Sequence, residues 1–303
     1  MDGRKLIASN LRYFTTLYRL KSVSEAARAI PISYQGLRKS IRILEEDLDV
    51  SLFEQTAAGK VAPTPYADAL YSLVQEWVVE IGELSNAFDA IRSKGVETID
   101  LACPVGFGDI IGHDFPRHFN AKYSEYHLSV IEYPDDAVDS MLLDGYFSVA
   151  VVTAPFSEGY EVKPLCTLKS CCWMSNDNPL ASRHALVVSD LNEQDITLPG
   201  DHNKTGAYYA SLIEAGKLCP SSITYCSNLF HSFLFAASGK GIGLGVTLPD
   251  EIGIGFEHVV AIPLDDGFDH TFAFAHRNGF EESHSHSVLE RFLKSELRSK
   301  HFR

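Results

Sequence analysis

The stretch Ser22-Val-Ser24-Glu-Ala26-Ala27-Arg-Ala-Ile30-Pro31-Ile32-Ser33-Tyr34-Gln35-Gly36-Leu37-Arg38-Lys39-Ser-Ile41-Arg42-Ile-Leu44-Glu-Glu-Asp-Leu48 decides how the rest of the chain is read. Ser22 or Ser24 can cap a short helix whose Ala26 and Ala27 let another helix cross closely. Pro31-Ile32-Ser33 breaks it, and Ser33 is a second N-cap. Leu37, Ile41, Leu44 and Leu48 then recur at gaps of four, three and four. That places one apolar stripe on a helix over about Tyr34–Leu48, with Arg38, Lys39 and Arg42 off the stripe. Upstream, Leu11, Phe14, Leu17 and Tyr18 give a first amphipathic helix over about Asn10–Leu20. Two short helices joined by a three-residue turn, the second basic outside and apolar inside, fit a helix-turn-helix that seats its second helix in a DNA major groove. A helical hairpin with a solvated basic face has the same spacing.

Further residues narrow the choice. Ser24-Glu-Ala26-Ala27, Ile32-Ser33, Ile41-Arg42-Ile43-Leu44-Glu45, Leu52-Phe53-Glu54 and Thr64 resemble, in order and spacing, the winged helix-turn-helix signature of LysR-type transcriptional regulators. The resemblance runs through about residues 10–70. It implies a β-wing over Gln55–Pro63, turned at Gly59, with Lys60 near phosphate. It also implies a DNA-contacting set of Ser33, Tyr34, Gln35, Arg38, Lys39, Arg42, Gln55 and Lys60. Gln35 is suited to an adenine edge, and Arg38 to guanine or phosphate. The departures lie on the DNA surface. Gln55 stands where the family usually has Arg, Ala67 replaces a common Gly, and Tyr34-Gln35-Gly36 with Arg38 replace the frequent Gln-Pro-Ala and Ser. Gly36 costs a helix about 1 kcal/mol relative to Ala; either backbone lies close to DNA there or the residue is simply tolerated.

Beyond Ala67 the apolar residues Leu70, Val74, Trp77, Ile81, Leu84, Phe88 and Ile91 alternate gaps of three and four. This is the seam along which two helices wrap. Leu70, Val74, Trp77, Ile81, Leu84 and Phe88 are the expected dimerisation residues, although one helix packed on its own domain has the same pattern. The resemblance implies that this linker helix dimerises the chain and that tetramers follow.

After Gly95 the texture changes to strand-like runs alternating with helical stretches, beginning with Thr98–Cys103, which implies parallel α/β sheets. This part resembles, more loosely, the family's effector-binding region, two α/β subdomains shaped like a periplasmic binding protein. Its landmarks are Asn178-Pro179-Leu180 and Ala236–Gly243 leading into Val246-Thr247-Leu248-Pro249. By that likeness the chain crosses between subdomains near Val162–Leu165 and returns near Pro263–Gly267.

The expected fold is therefore α+β and multidomain. A winged helix-turn-helix spans 1–65 and a dimerising linker helix 66–92. A periplasmic-binding-protein-like α/β effector domain spans 96–303, with subdomain I about 96–162 and 268–303 and subdomain II about 163–267.

Ligands in such sheets sit at the carboxyl ends of strands. The expected effector residues are Val105, Gly106, Phe107, Tyr133, Pro134, Asp135 and Thr153 on one side. On the other they are Asp201, His202, Asn203, Asn228, Phe230, His231, Val246 and Thr247. Lys204 is the one cation close to this set. A small carboxylate would have to use backbone N–H groups at the helix starts near Gly106 and Thr205. The aromatic and His residues with two Asp suit a neutral, aromatic or cationic molecule at least as well.

Composition sets the bounds. The chain has 303 residues, 45% hydrophobic and 22% charged, with a formal charge of -14. Enough chain is present to bury a core without staples. The net charge argues against nucleic acid until it is divided. Residues 1–65 hold 10 Lys and Arg against 7 Asp and Glu, so the acidity belongs to the remainder. An apolar run long enough to span a membrane is absent, and no secretory leader precedes the first helix, so a cytoplasmic protein without a membrane partner is expected.

No G-x-S-x-G or H-E-x-x-H motif occurs, so no enzyme is expected, and no cofactor or metal. Gly239-Lys-Gly-Ile-Gly-Leu-Gly245 follows a helix and precedes a strand, the reverse of a dinucleotide loop. His284 and His286 read as a solvated loop. The expected partners are double-stranded operator DNA, a second copy of the chain as dimer or tetramer, and a small-molecule effector, with RNA polymerase left open. Two alternatives stand beside this regulator. One is a redox-responsive regulator using Cys219 and Cys226. The other is a cytoplasmic binding module whose DNA-binding half has degenerated.

Overall fold

The computed structural model describes residues 3–29, 32–56, 60–74, 96–200, 202–226, 228–247 and 258–300. The chain forms two compact units, one from residues 1–85 with 144–146 and one from 86–143 and 147–303.

In the first unit, α1 (Gly3–Leu20), α2 (Val23–Ala29) and α3 (Tyr34–Leu48) precede a ribbon of β1 (Phe53–Gln55) and β2 (Val61–Pro63). Residues 65–74 are again helical. Ser22, rather than Ser24, caps α2, its hydroxyl accepting the Glu25 N–H. Ser33 caps α3 by accepting from the Gly36 N–H at 3.1 Å. Phe14 and Leu17 of α1, Ala26 of α2, and Leu37, Ile41 and Leu44 of α3 meet in one core closed by Leu52 and Ala67. Ala26 is fully buried, which is where a larger side chain would hold the helices apart. The Lys21 carbonyl, in the turn between α1 and α2, accepts the Val61 N–H and so ties the ribbon to the helices.

The second unit begins with β3 (Glu97–Pro104), α4 (Phe107–Ile111), α5 (Phe115–Lys122), β4 (Tyr126–Tyr133), α6 (Asp135–Leu143), β5 (Val149–Thr153) and β6 (Tyr160–Leu168). It continues with β7 (Ser170–Ser175), β8 (Asp195–Pro199), α7 (Lys204–Glu214), β9 (Ser222–Cys226), α8 (Leu229–Ala237) and β10 (Ile242–Val246). It ends with β11 (Val259–Pro263), β12 (His270–Arg277) and α9 (His284–Ser299). Two five-stranded sheets result, ordered β4-β3-β5-β12-β6 and β11-β7-β10-β8-β9. Each is mixed rather than purely parallel. β4, β3 and β5 are parallel, as are β10, β8 and β9, while β12, β6, β7 and β11 run antiparallel to their neighbours.

The antiparallel strands carry the crossings. Val162–Leu165, expected at the first crossing, lie inside β6, and the chain changes sheets at Lys169. It returns between Pro263 and His270. β6 and β11 escape a reading by alternation because Pro164 interrupts β6 and Val259–Pro263 is an unbroken apolar run. Pro164 sits in β6 where the register with β12 slips between Phe272 and Ala273, the position at which a sheet tolerates proline.

Helices cover both faces of each sheet. Phe107, Phe119, Leu289 and Phe292 pack on one face of the first, and Val138 and Leu142 of α6 on the other. In the second sheet Cys172 faces Tyr209 of α7, and the adjacent Cys171 faces the opposite core with Trp173 and Phe233. The glycine run 239–245 ends α8 and enters β10. A Cβ on Gly243 would lie 2.4 Å from the Ser232 carbonyl oxygen, so α8 rests directly on the strand. Among the described residues, no helix is long and apolar enough to cross a membrane.

Candidate nucleic-acid interface and effector cleft

α3 buries Leu37, Ile41 and Leu44 and leaves Ser33, Tyr34, Gln35, Arg38, Lys39 and Arg42 exposed. The N-terminal turns therefore present a polar and cationic face. The Arg38 guanidinium lies 5.9 Å from the centre of the Tyr34 ring, and Arg42 pairs with Glu46 one turn on at 3.3 Å. An exposed pair of this kind contributes little to stability and leaves Arg42 free to exchange partners. Gly36 has a reason inside the domain: an added Cβ would lie 2.9 Å from Ile32 Cγ1 and 3.1 Å from Ser33 Oγ. The missing side chain makes room for the N-cap.

The ribbon pairs Phe53 with Pro63, Glu54 with Ala62 and Gln55 with Val61. Thr56 donates both its N–H and its hydroxyl to the Lys60 carbonyl, which narrows the tip. Gln55 and Lys60 are exposed on it. Gly59 lies outside the described residues.

Only the start of the linker seam is described; Trp77, Ile81, Leu84 and Phe88 lie outside the described residues. Ala67 and Val74 are buried within the single chain, and Leu70 packs against the N-terminal core. Tyr66 and Leu73 are the exposed apolar residues of this segment. Tyr18 explains why: its hydroxyl donates to Asp68 at 2.7 Å and its ring stacks on Tyr71 with centroids 4.1 Å apart. α1 thus packs beside the start of the seam through Asp68 and Tyr71.

In the second unit a cleft of about 750 Å³, open solvent at its mouth included, lies between the two sheets. Of the residues expected there, Val105, Gly106, Asp135, Thr153, Asn203, Asn228 and Val246 line it. Others lie elsewhere. Phe107 is core, held between Phe115 and Phe272. Tyr133 packs on Phe147. Pro134 opens α6, its carbonyl accepting from Ala137 and Val138. His202 is exposed beside Asp136, with 3.2 Å between Nδ1 and Oδ2. Phe230 is exposed, His231 faces a separate groove with Tyr225 and Leu234, and Thr247 donates its N–H to the Lys169 carbonyl. Asp201 lies outside the described residues.

The wall also holds residues that reading by strand ends did not include. Ser170, His270 and Phe272 come from β7 and β12, the antiparallel strands that carry the crossings, and Thr205, Tyr209 and Ser232 from helices. His270 Nε2 lies 3.1 Å from the Thr205 hydroxyl. Burial lowers its pKa to about 4, so the ring is neutral. Ser232 donates to the Leu244 carbonyl at 2.7 Å and lies 2.6 Å from Thr197 Oγ1, which accepts the Leu244 N–H.

Polar contacts span the cleft. The Asp135 carboxylate accepts the Lys204 backbone N–H at 2.9 Å, supplying the cap that Asn203 does not give α7. The Lys204 ammonium pairs with Asp139 at 2.9 Å and donates to the Thr153 carbonyl. Burial raises the Asp135 pKa above the usual carboxylate range, against the stabilising pull of its Lys204 and Thr153 contacts. The other helix start, at α4, is occupied too, because Glu132 accepts the Gly108 N–H at 3.0 Å.

All six cysteines are free thiols. Cys219 precedes β9 and Cys226 is its last residue, and β9 is paired along its length with β8. Four strand steps between residues 222 and 226 span about 13 Å, while a disulfide brings Cα atoms within about 7 Å. The Cys219 carbonyl accepts the Glu193 N–H, beyond the end of the ladder opposite Cys226, so a bridge between the two requires β9 to come apart. His284 and His286 form the first turn of α9 rather than a loop, with Ser283 capping the His286 N–H. Burial lowers the His286 pKa. Among the described residues no group of three or more His, Cys, Asp or Glu is placed to hold a metal ion.

Comparison with known proteins agrees with this architecture. Residues 8–68 match the family described as bacterial regulatory helix-turn-helix protein, lysR family, and residues 94–298 match the LysR substrate binding domain. The uncharacterized HTH-type transcriptional regulator YybE of Bacillus subtilis is 22% identical over 245 residues, covering 80% of this chain and 82% of its own. The HTH-type transcriptional regulator CysB of Haemophilus influenzae is 23% identical over 190 residues, covering 60% and 58%. Among solved structures, a full-length OxyR variant from Pseudomonas aeruginosa superposes with a TM-score of 0.58 at 19% identity, covering 96% of this chain and 97% of that one. The effector binding domain of QuiR, solved in complex with shikimate, gives a TM-score of 0.55 at 14% identity, covering 67% and 97%. The second match alone takes in more than half of the chain, and with the first it identifies both units: the chain belongs to the LysR family of DNA-binding transcriptional regulators, with an N-terminal helix-turn-helix and a C-terminal effector-binding domain, and is a regulator rather than an enzyme.

Proposed function

We propose that this regulator reads double-stranded operator DNA with the N-terminal turns of α3 and flanks it with the wing. It responds to a small molecule held between its two sheets. The observation that carries the first part is the division of α3 into a buried apolar stripe and an exposed face of Tyr34, Gln35, Arg38, Lys39 and Arg42. In such an arrangement base edges are read by the exposed side chains, and Gln55 and Lys60 meet the flanking backbone. The cleft supports the second part: it lies where loops leave the sheets, and side chains from both line it. A ligand that binds one degree of closure better than another shifts the equilibrium between them. A pair of chains joined through the helix that begins near residue 65 would pass this shift to the DNA. Tyr66 and Leu73 add exposed apolar surface to that pairing.

Nuclease protection on DNA flanking the protein's own gene tests the reading. A discrete protected site that survives excess nonspecific duplex is expected, and it disappears with Gln35→Ala combined with Arg38→Ala. Salt-sensitive binding without a preferred site would instead identify a chain whose DNA-reading surface has degenerated.

A further inference from the structure

We propose that the cleft selects a small organic cation, a protonated amine or amidine on an apolar body, with Asp135 as its counter-ion. This rests on the reading of the cleft as the effector site. Asp135 is 7% exposed and lines the cleft, and it lies with a second buried carboxylate, Asp139, beside one ammonium, Lys204, whose ion pair is with Asp139. That ammonium is already committed to Asp139 and the Thr153 carbonyl. No Lys or Arg is among the described residues lining the cleft. The helix starts that would otherwise receive a carboxylate are filled from within the protein, α7 by Asp135 and α4 by Glu132. An anion entering here would meet a buried negative charge and displaced caps, whereas a cation supplies an ion pair to Asp135, whose own hydrogen bond with Lys204 is to the backbone N–H. Val105, Leu229 and Phe272 give the ligand's body an apolar wall.

The test uses the full chain and two sets of molecules matched in shape and differing in charge. These are benzylamine, benzyl alcohol and benzoate, and cyclohexylmethylamine, cyclohexylmethanol and cyclohexanecarboxylate. Thermal stabilisation and calorimetric titration at millimolar concentrations should rank the amines first, at least about tenfold tighter than the carboxylates, with Asp135→Asn removing most of that preference. Carboxylates that bind as well as amines, or an amine preference unchanged in folded Asp135→Asn, overturn the assignment of charge and leave the cleft as effector site standing. Binding by none of the six overturns both. Because the ranking is read first on the unsubstituted chain, it does not depend on the variant folding.

Discussion

The Glu45 carboxylate, in the last turn of α3, accepts the backbone N–H of Leu52 at 2.7 Å, and the same oxygen accepts that of Phe53 at 3.2 Å. One side chain thus fixes the angle at which the ribbon leaves α3. Removing it leaves two partly buried donors unpaired, at about 1–3 kcal/mol. Glu45→Ala should lower the unfolding free energy of the N-terminal unit in a urea titration by that amount, with a lower midpoint, and weaken DNA binding without touching DNA. Glu45→Gln, which keeps an acceptor, should lose less than half as much. Equal midpoints for Ala and the unsubstituted chain would refute this role.

The contact of α8 with β10 is equally specific. Gly243→Ala must move Ser232 backbone rather than a side-chain tip, so thermal melting should show a loss of about 1–3 kcal/mol. Gly200→Ala is the control, since no atom lies within 4 Å of its added Cβ. It should change stability by no more than about 0.5 kcal/mol. Similar melting of the two variants would contradict the close packing.

The fold of the DNA-reading half was legible because its signals are local. Stripe spacing in α3, the Ser33 cap and the Pro31 break each act within a few residues. In the second half the parallel strands announced themselves by alternation, whereas β6, interrupted by Pro164, and β11, a short unbroken apolar run, did not. The cleft was half legible for the same reason. Strand ends pointed to Val105, Asp135 and Val246, but Ser170, His270 and Phe272 enter it on strands that run the other way, which no local pattern reveals. Asp135 was placed in the cleft from sequence. Its occupation of the α7 N-terminus required the third dimension.

His270 makes stability depend on pH in a definite direction. In the unfolded chain it takes up a proton near pH 6.5, and in the folded protein burial delays this to about 4. Between those values the unfolded state binds more protons, so stability falls as pH falls through the window, by up to about 3 kcal/mol in all. His270→Gln should flatten this part of the curve relative to the unsubstituted chain and leave stability above pH 7 nearly unchanged in slope. Parallel curves from pH 7 to 4 would show that the imidazole is not held neutral.

The central claim is that the exposed cations of α3 meet DNA phosphate or bases. Its most direct measurement is the salt dependence of DNA binding for the unsubstituted chain and for Arg38→Ala, Lys39→Ala and Arg42→Ala singly and together. The account predicts that the slope of log affinity against log salt falls by roughly one unit for each phosphate-contacting cation removed, with the triple variant folded and its nonspecific binding largely lost. Binding by the triple variant with the affinity and slope of the unsubstituted chain would contradict it.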